Sequence, residues 1–294
     1  MDKLINSEEL NHFFLLKPEK SLQKPIILTS AHSGTKYTQN LINKVRNNPK
    51  NYHSMEDMYI NDIISGFINS GFSIIMSTIS RVVIDLNRSV KEIDSTFITN
   101  GPENIEFKTT DKVRSGIGLI PLKNSSGKEI YSKKLDWAEV EQRIEDYYLP
   151  WHSALNKEII RLLNNFGRVF IIDIHSMPSA SYQKYEVADF VIGNDFDNSS
   201  TNSSKIVLSE IISSFGYNFS FNDPYSGGHI TKHYASLDKN IQCIQLEIKK
   251  NLYMNEKNFN KKDNFRKFSA DLKKIIEEFT SAIDYKEKNA IAAE

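Results

Sequence analysis

The segment VFIIDIHSMP at positions 169–178 decides the fold. Its first six residues are apolar apart from Asp173, His175 follows them, and Pro178 closes the segment. A short apolar run that ends in turn-forming residues is typical of a strand buried in the middle of a sheet. We therefore predict a buried strand at 169–174 that carries His175 at its end.

Other short apolar runs alternate with longer segments of helical periodicity. Strands are predicted at 25–29, 72–76, 82–86, 187–193 and 241–248. Helices are predicted at 56–69, from 136 to a break at Pro150, and at 151–165, 199–216 and 262–283. This alternation is typical of an α/β sheet with crossover helices. We expect one domain, residues 1–294, with an irregular insertion at about 91–134 and a frayed tail at 286–294.

The composition excludes several classes of protein. The chain has 294 residues, of which 39% are hydrophobic and 25% are charged, an ordinary balance for a globular protein. Lys and Arg number 37, as do Asp and Glu, so the basic excess of most nucleic-acid-binding proteins is absent. The longest apolar runs are too short to cross a bilayer, and the N-terminus has no run of signal-peptide length. We expect a soluble, cytoplasmic protein without nucleic-acid or membrane partners.

Four polar segments lie in or at the ends of the predicted strands. They are HSG at 32–34, SR at 80–81 with DLNR at 85–88, DIHSMP at 173–178 and QLEI at 245–248. Binding sites of open α/β sheets lie beyond the carboxyl ends of the strands. The position of these segments therefore predicts a site at that edge of the sheet.

His32 and His175 each follow an apolar strand and precede a serine. Two imidazoles and one carboxylate, with water in the fourth position, form a usual catalytic zinc site. Glu56 and Asp57, at the start of a predicted helix, provide the carboxylate, and the residues alone do not choose between them. Asp173 lies on the same side of its strand as His175 and can orient the imidazole. The alternative is structural, because histidines often cap or pack and acids at a helix N-terminus stabilise its dipole.

Two further segments bring charge into the same region. Arg88 presents a planar fork of donors that matches a carboxylate, Asn87 adds a donor, and Asp85 can hold the guanidinium. A surface salt bridge is the alternative. Glu247 lies in an otherwise apolar strand, where a carboxylate is costly unless it is paired or used. It suits a general base, and the alternative is a structural ion pair with Lys249 or another surface cation.

The order of these segments resembles the N-formylglutamate amidohydrolase family. Supporting segments are GIGLIP at 116–121, YLPWHSAL at 148–155, PYSGG at 224–228 and LYM at 252–254. The resemblance runs from about residue 25 to residue 254, which is most of the chain. DLNR and HSMP in this order are much more specific than any single motif.

The resemblance implies both a fold and an activity. The fold is a three-layer α/β/α sandwich around a mixed central sheet, distantly similar to the zinc carboxypeptidases and of the phosphorylase/hydrolase-like type. The activity is metal-dependent hydrolysis of the amide of N-formyl-L-glutamate to formate and glutamate, in amino-acid degradation such as histidine catabolism. The cofactor is one Zn²⁺ per chain, or another divalent ion, and the partner is a small-molecule carboxylate substrate.

The resemblance also assigns roles to residues. Carried onto this sequence, these are the metal ligands His32, Asp57 and His175, with Glu56 as the alternative to Asp57, Glu247 as the base, and Asn87 and Arg88 as ligands of the substrate carboxylate. Beyond the resemblance, Arg81 is our candidate for a second catalytic residue, which would polarise the scissile carbonyl or hold a second acidic group. The chain departs from the His-x-x-Glu pattern of the carboxypeptidases, because Thr35 stands where Glu would follow His32.

Rival functions remain open on the sequence. One is a hydrolase of the same mechanism that acts on another N-acyl amino acid or on a small peptide derived from the cell wall. Another is a non-enzymatic member of the fold that binds a carboxylate, which would need neither the metal nor Glu247. An oligomeric interaction protein has no positive sign in the sequence, and the oligomeric state is not indicated.

Overall fold

A mixed β-sheet forms the centre of the protein. The computed structural model describes residues 7–10, 12–180 and 187–291. Its strands are β1 (Ser7–Leu10), β2 (Phe13–Leu16), β3 (Ile26–Ser30), β4 (Ser73–Ser77), β5 (Ile98–Thr99), β6 (Leu135–Asp136), β7 (Val169–Met177), β8 (Phe190–Gly193), β9 (Phe219–Phe221) and β10 (Ile241–Lys249). Within the described residues, eight of them pair in the order β1-β2-β4-β3-β7-β10-β8-β9, and β5 pairs with β6.

Four parallel strands form the middle of this sheet. β4, β3, β7 and β10 are neighbours in that order and run in the same direction, whereas β2 is antiparallel to β4 and β8 is antiparallel to β10. Every residue of β7 is buried, which confirms the strand predicted from VFIIDI. Strands covered on both faces have nearly continuous apolar sequences, as VFIIDI does. The carboxyl ends of the four strands therefore meet at one edge.

Helices cover both faces of the sheet. They are α1 (Gln39–Ile42), α2 (Ile60–Ile64), α3 (Asp111–Arg114), α4 (Trp137–Arg143), α5 (Leu149–Phe166), α6 (Asn202–Ser214), α7 (His229–Tyr234) and α8 (Phe265–Ile291). α5 packs on one face through Trp151 and Leu155. α6 and α8 pack on the other face through residues such as Leu208 and Leu272. The molecule is thus an α/β protein, and the three-layer sandwich around a mixed sheet is confirmed.

The strand predicted at 82–86 is wrong. Val82, Val83 and Ile84 are buried in the same apolar cluster as α5, but their backbone runs through turns. The N–H of Val83 donates to Ser80 O at 2.9 Å, and the N–H of Asp85 donates to Leu119 O at 2.8 Å. A buried apolar loop has the same sequence pattern as a short buried strand, and periodicity alone does not separate them.

The helix predicted at 56–69 begins later than expected. α2 starts at Ile60 and continues as a 3₁₀ helix, Ser65–Ser70, which ends at Gly71 in the left-handed region. Asp57 precedes the helix because its N–H donates to His32 O at 3.0 Å, outside any helical pattern. The two acids therefore lie before the helix and not in its first turn.

Pro150 does not break the chain into two helices. α4 passes through a π-helical turn, Ile144–Tyr148, directly into α5, and Pro150 occupies the first turn of α5. A proline lacks the N–H that a helix interior needs. Here Pro150 directly follows the π-helical turn, where the regular hydrogen-bond pattern is already interrupted and the N–H of Leu149 donates to Ile144 O, so the chain stays helical through it. Asp136 caps α4, and its side chain accepts from the N–H of Ala138.

Residues 91–134 contain only short elements in the described structure, among them α3, β5 and an isolated bridge between Lys123 and Glu129. The predicted tail at 286–294 is helical as far as Ile291, and residues 292–294 lie outside the described range. None of the described helices is both long enough and apolar enough to cross a membrane.

Candidate metal centre and active site

Three segments of the chain bring His32, Asp57 and His175 together at the carboxyl edge of the sheet. His32 follows β3, His175 is in β7, and Asp57 lies in the loop before α2. Oδ2 of Asp57 is 3.0 Å from Nδ1 of His175 and 3.6 Å from Nδ1 of His32. All three residues are at most 3% exposed.

Each imidazole also contacts a further carboxylate through its Nε2, the ring nitrogen that faces away from Asp57. Nε2 of His175 is 2.8 Å from Oδ2 of Asp173, as predicted, and Nε2 of His32 is 2.7 Å from Oδ1 of Asp85. Both carboxylates are fully buried. A carboxylate on the far nitrogen fixes the tautomer and the ring orientation of a metal-binding histidine. Both Nδ1 atoms are thereby left facing Asp57.

These three residues fit a divalent cation such as Zn²⁺. One ligand atom from each of the three residues lies within 4.8 Å of the other two. Among the described residues, no other group of three or more His, Cys, Asp or Glu side chains comes close enough together to hold a metal ion. Zinc bonds of about 2.0–2.1 Å in a tetrahedral arrangement place ligand atoms about 3.3 Å apart. The separations of 3.0 and 3.6 Å bracket that value. Three protein ligands leave a further position for water or substrate, as in catalytic sites.

The structure brings Asp57, and not Glu56, to the histidines. The carboxylate of Glu56 points the other way, where it accepts from the hydroxyls of Tyr37 and Ser80 and contacts Nδ1 of His53 at 2.8 Å. Glu56 is fully buried, and its partners include neither of the two candidate ligand histidines. Of the two acids that the sequence left open, Asp57 is the one with metal-ligand geometry.

The electrostatics of Asp57 favour its charged form. Burial alone would raise the pKa of this carboxyl, but hydrogen bonds and positive charge from His175 and His32 outweigh that effect and hold the pKa well below its usual range. A carboxylate that stays ionised is the form that binds a metal ion.

Glu247 lies beside this group on β10. It pairs in register with His175 of β7, so the two side chains share one face of the sheet. Its neighbours Leu246 and Ile248 pack on the opposite face against α6 and α8, as the alternation predicts. Glu247 is 7% exposed, and burial raises its pKa to about 7 against the opposing charge of His175. Lys249, the structural alternative, instead forms an ion pair with Asp189 at 3.2 Å.

The two arginines occupy different positions around the site. Nη2 of Arg81 donates to Oδ2 of Asp85 at 2.5 Å, so Asp85 links Arg81 to His32. Arg88 donates from Nε to Ile117 O at 3.0 Å and from Nη1 to the main-chain oxygen of Asn87 at 2.9 Å. Among the described residues, no carboxylate lies within 4.0 Å of the Arg88 guanidinium. Asp85 was predicted to hold the guanidinium of Arg88, but in the structure it holds that of Arg81.

The side chain of Asn87 is engaged inside the protein. It is 2% exposed, its Oδ1 accepts from the N–H of Ile230 at 2.8 Å, and its Nδ2 donates to Asp173 at 3.2 Å. A substrate contact from this amide would require these bonds to be exchanged.

Sequence reasoning assigned no role to two buried polar residues of the site. Gln245 donates to Glu247 at 2.8 Å, and its place two residues earlier on the same strand was the available signal. Lys250, 4% exposed, donates to the main-chain oxygens of Ser54 at 3.0 Å and Glu56 at 2.8 Å. It thereby ties the end of β10 to the loop that carries Asp57, a contact that no local pattern indicates.

A family model described as N-formylglutamate amidohydrolase matches residues 24–254. The chain belongs to this family. Its curated relatives include the N-formylglutamate deformylases of Pseudomonas putida, 27% identical over 79% of this chain and 82% of the relative, and of Pseudomonas aeruginosa, 26% identical over 79% and 83%.

Solved structures show that the amidohydrolase fold extends over nearly the whole chain. The N-formylglutamate amidohydrolase of Ralstonia eutropha is 28% identical, with a TM-score of 0.87 over 93% of this chain and 99% of that one. A protein of Agrobacterium tumefaciens, 18% identical with a TM-score of 0.65 over 93% and 96%, shares the fold. The resemblance noted in the sequence is confirmed at the level of family and fold.

Proposed function

We propose that this protein hydrolyses the amide bond of N-formyl-L-glutamate to formate and glutamate, with a divalent cation, Zn²⁺ in the first instance, held by His32, Asp57 and His175. The buried group of these three residues carries the proposal, because it is a ligand set for a catalytic metal in a chain of the N-formylglutamate amidohydrolase family. The named activity of the Pseudomonas relatives supports the choice of substrate.

Glu247 is the proposed general base. A bound cation would supply Lewis acidity for the formyl carbonyl and for the attacking water. The carboxylate of Glu247 accepts one proton from that water while the water oxygen bonds to the formyl carbon. Glu247 then delivers the proton to the amide nitrogen as the C–N bond breaks, so that formate and the amine of glutamate leave. Its position beside His175 and its raised pKa suit both transfers.

Cationic side chains suit the recognition of a substrate with two carboxylates. Arg88 has neutral carbonyl partners in the described structure, so its charge is available to an anion. Partial desolvation of the Lys112 ammonium group lowers its pKa, and the charges of Arg88 and Arg81 lower it further, so these three cations share one electrostatic environment. We propose that Arg88 binds one substrate carboxylate. Arg81 then binds either the scissile carbonyl or the second carboxylate.

Arg88→Ala is expected to lower kcat/KM by about 30-fold to 5,000-fold, because losing one partner of a desolvated charge pair costs about 2–5 kcal/mol. Metal content should stay unchanged, since Arg88 lies outside the ligand set. The matched control is Arg114→Ala, which removes an exposed guanidinium paired with Asp111. Steady-state formate release measures both variants, and a normal kcat/KM for Arg88→Ala would exclude its role.

The rate should fall on the acid side through protonation of the base. Glu247 acts only when deprotonated, burial raises its pKa to about 7, and a bound cation lowers it again. We therefore expect kcat/KM of the metal-loaded enzyme to decline on the acid side with an apparent pKa below about 7, with metal content verified at each pH. The residual activity of Glu247→Gln should lack this decline beyond that caused by metal loss. A wild-type rate with no acid-side decline while the metal stays bound, or the same decline in Glu247→Gln, would contradict Glu247 as the base.

The proposed substrate is tested with metal-replete enzyme and a panel of N-acyl amino acids. Formate release from N-formyl-L-glutamate should exceed release from N-formyl derivatives with neutral side chains. N-acetyl-L-glutamate tests the acyl group in the same panel. If metal-loaded protein hydrolysed none of these N-acyl amino acids, the proposed function would be refuted.

A further inference from the structure

Two buried side-chain amides lie directly behind the proposed metal ligand and the proposed base. Asn87 is 2% exposed and Gln245 is 5% exposed. Buried amides need hydrogen-bond partners within the protein, and an amide with partners at both its oxygen and its nitrogen is fixed in orientation. Both residues meet this condition.

Asn87 holds the pair formed by Asp173 and His175. Its Nδ2 donates to Oδ2 of Asp173 at 3.2 Å and lies 3.0 Å from Nε2 of His175. The same oxygen of Asp173 is 2.8 Å from that Nε2. The amide of Asn87 therefore fixes the carboxylate that orients the imidazole.

Gln245 holds Glu247 in the same way. Its Nε2 donates to Oε1 of Glu247 at 2.8 Å, and its Oε1 accepts from the N–H of Gly228 at 2.7 Å. The bond from Gly228 determines which end of the amide is the oxygen. The nitrogen of Gln245 is thereby committed to the carboxylate of Glu247.

Both amides are anchored by the segment that opens α7. Gly228 donates to Gln245, and two residues later the N–H of Ile230 donates to Oδ1 of Asn87 at 2.8 Å. A Cβ added to Gly228 would lie 2.4–2.6 Å from the amide atoms of Asn87, far inside contact distance. The backbone of Gly228, at φ −92° and ψ −161°, is extended and accepts any residue. Glycine is therefore required there by the close approach of Asn87 and not by the backbone.

We infer that Asn87 and Gln245 are positioning residues, Asn87 for His175 and Gln245 for Glu247, and that the segment around Gly228 clamps both of them. This inference rests on the proposed function for the roles of His175 and Glu247. It gives Asn87 a task different from the substrate-carboxylate contact that the sequence suggested. It also explains why a turn distant in the sequence lies against the metal centre.

Metal affinity tests the role of Asn87 independently of turnover. Co²⁺ is titrated into metal-free wild type, Asn87→Ala and Gly228→Ala, and its visible absorption is followed. Both variants should bind Co²⁺ about 10–100-fold more weakly, the usual cost of losing a partner behind a metal ligand. Gly228→Ala is decisive because it removes no polar side chain that could contact the substrate, so a change in Co²⁺ affinity must come from the displacement of Asn87. Gly66→Ala is the control, since a Cβ there meets nothing within 4 Å and affinity should not change.

A double variant separates displacement of Asn87 from general damage. Once Asn87 is truncated, the methyl group of Gly228→Ala has no amide to displace. Its effect on Co²⁺ affinity in the Asn87→Ala background should therefore be much smaller than in wild type, a non-additive pair. Effects that simply add would overturn the clamp, as would normal Co²⁺ affinity in both single variants together with a raised KM in Asn87→Ala.

Turnover tests the role of Gln245. Gln245→Met keeps the length of the side chain and removes the donor to Glu247. We expect kcat to fall about 10–100-fold, with KM and Co²⁺ affinity near those of wild type. A normal kcat would overturn this role. Absence of Co²⁺ binding by wild type would instead refute the proposed function, so the two failures are distinguishable.

Discussion

Glu247→Gln is expected to lower kcat by about 10²–10⁴-fold, the range that a positioned general base contributes. The substitution keeps the shape of the side chain and an acceptor oxygen for Gln245, but it removes the site that takes the proton. Glu247 is outside the proposed ligand set, so the variant should bind Zn²⁺ and glutamate normally. Formate release under saturating substrate measures kcat, and metal analysis of the same sample excludes metal loss.

The control for this variant is a second buried glutamate. Glu158 of α5 is 2% exposed and is held by Arg161 and by Ser73. Glu158→Gln should lower the unfolding temperature, because it weakens the contacts with Arg161 and Ser73. Its kcat should stay near that of wild type, because in the described structure this carboxylate does not contact the proposed metal ligands or Glu247. If Glu247→Gln retained a kcat within a few-fold of wild type, the catalytic assignment would be wrong.

The location of Glu247 was predictable because strand periodicity is local. Apolar residues at alternate positions of β10 assign Leu246 and Ile248 to one face, and Glu247 must then point to the other. The parallel arrangement of β3, β7 and β10 likewise follows from short apolar runs separated by helices. His32, His175 and Glu247 could therefore be gathered at one edge from the sequence alone.

Asp173 and Gln245, two residues before His175 and Glu247 on the same strands, follow from strand periodicity. The other partners were not predictable, because they depend on loops. Asp85 reaches His32 only because residues 82–86 leave the strand pattern and turn, with the N–H of Asp85 bonded to Leu119. The bonds from Gly228 to Gln245 and from Ile230 to Asn87 join segments that are distant in the sequence. No propensity or spacing indicates such contacts, since tertiary packing sets them.

The choice between Glu56 and Asp57 illustrates the same limit. Neighbouring acids have nearly identical local signals, and their directions differ only through the backbone between them. The N–H of Asp57 donates to the carbonyl oxygen of His32 at 3.0 Å, which places Asp57 against that histidine. Glu56 then faces Tyr37 and Ser80. A single backbone hydrogen bond thus separates the two roles.

Asp57→Asn is expected to abolish stoichiometric metal binding, whereas Glu56→Gln should retain about one Zn²⁺ per chain. The neutral amide that replaces the Asp57 carboxylate would place either a weaker oxygen ligand or an N–H group opposite the two histidines, which no longer share a negative charge. Zn²⁺ added to wild type and to Glu56→Gln should raise the unfolding temperature, since a ligand that binds the native state stabilises it. The same addition should have little effect on Asp57→Asn.

Glu56→Gln should have its own, different signature. The carboxylate of Glu56 is fully buried among hydroxyl and imidazole donors, so neutralising it should cost about 1–3 kcal/mol of unfolding free energy. Competition with a chelator should nevertheless give a Zn²⁺ affinity close to that of wild type. If Glu56→Gln lost the metal and Asp57→Asn kept it, the ligand assignment would be reversed. If both variants kept the metal, neither acid would be a ligand, and the group of His32, Asp57 and His175 would have to be abandoned as the metal site.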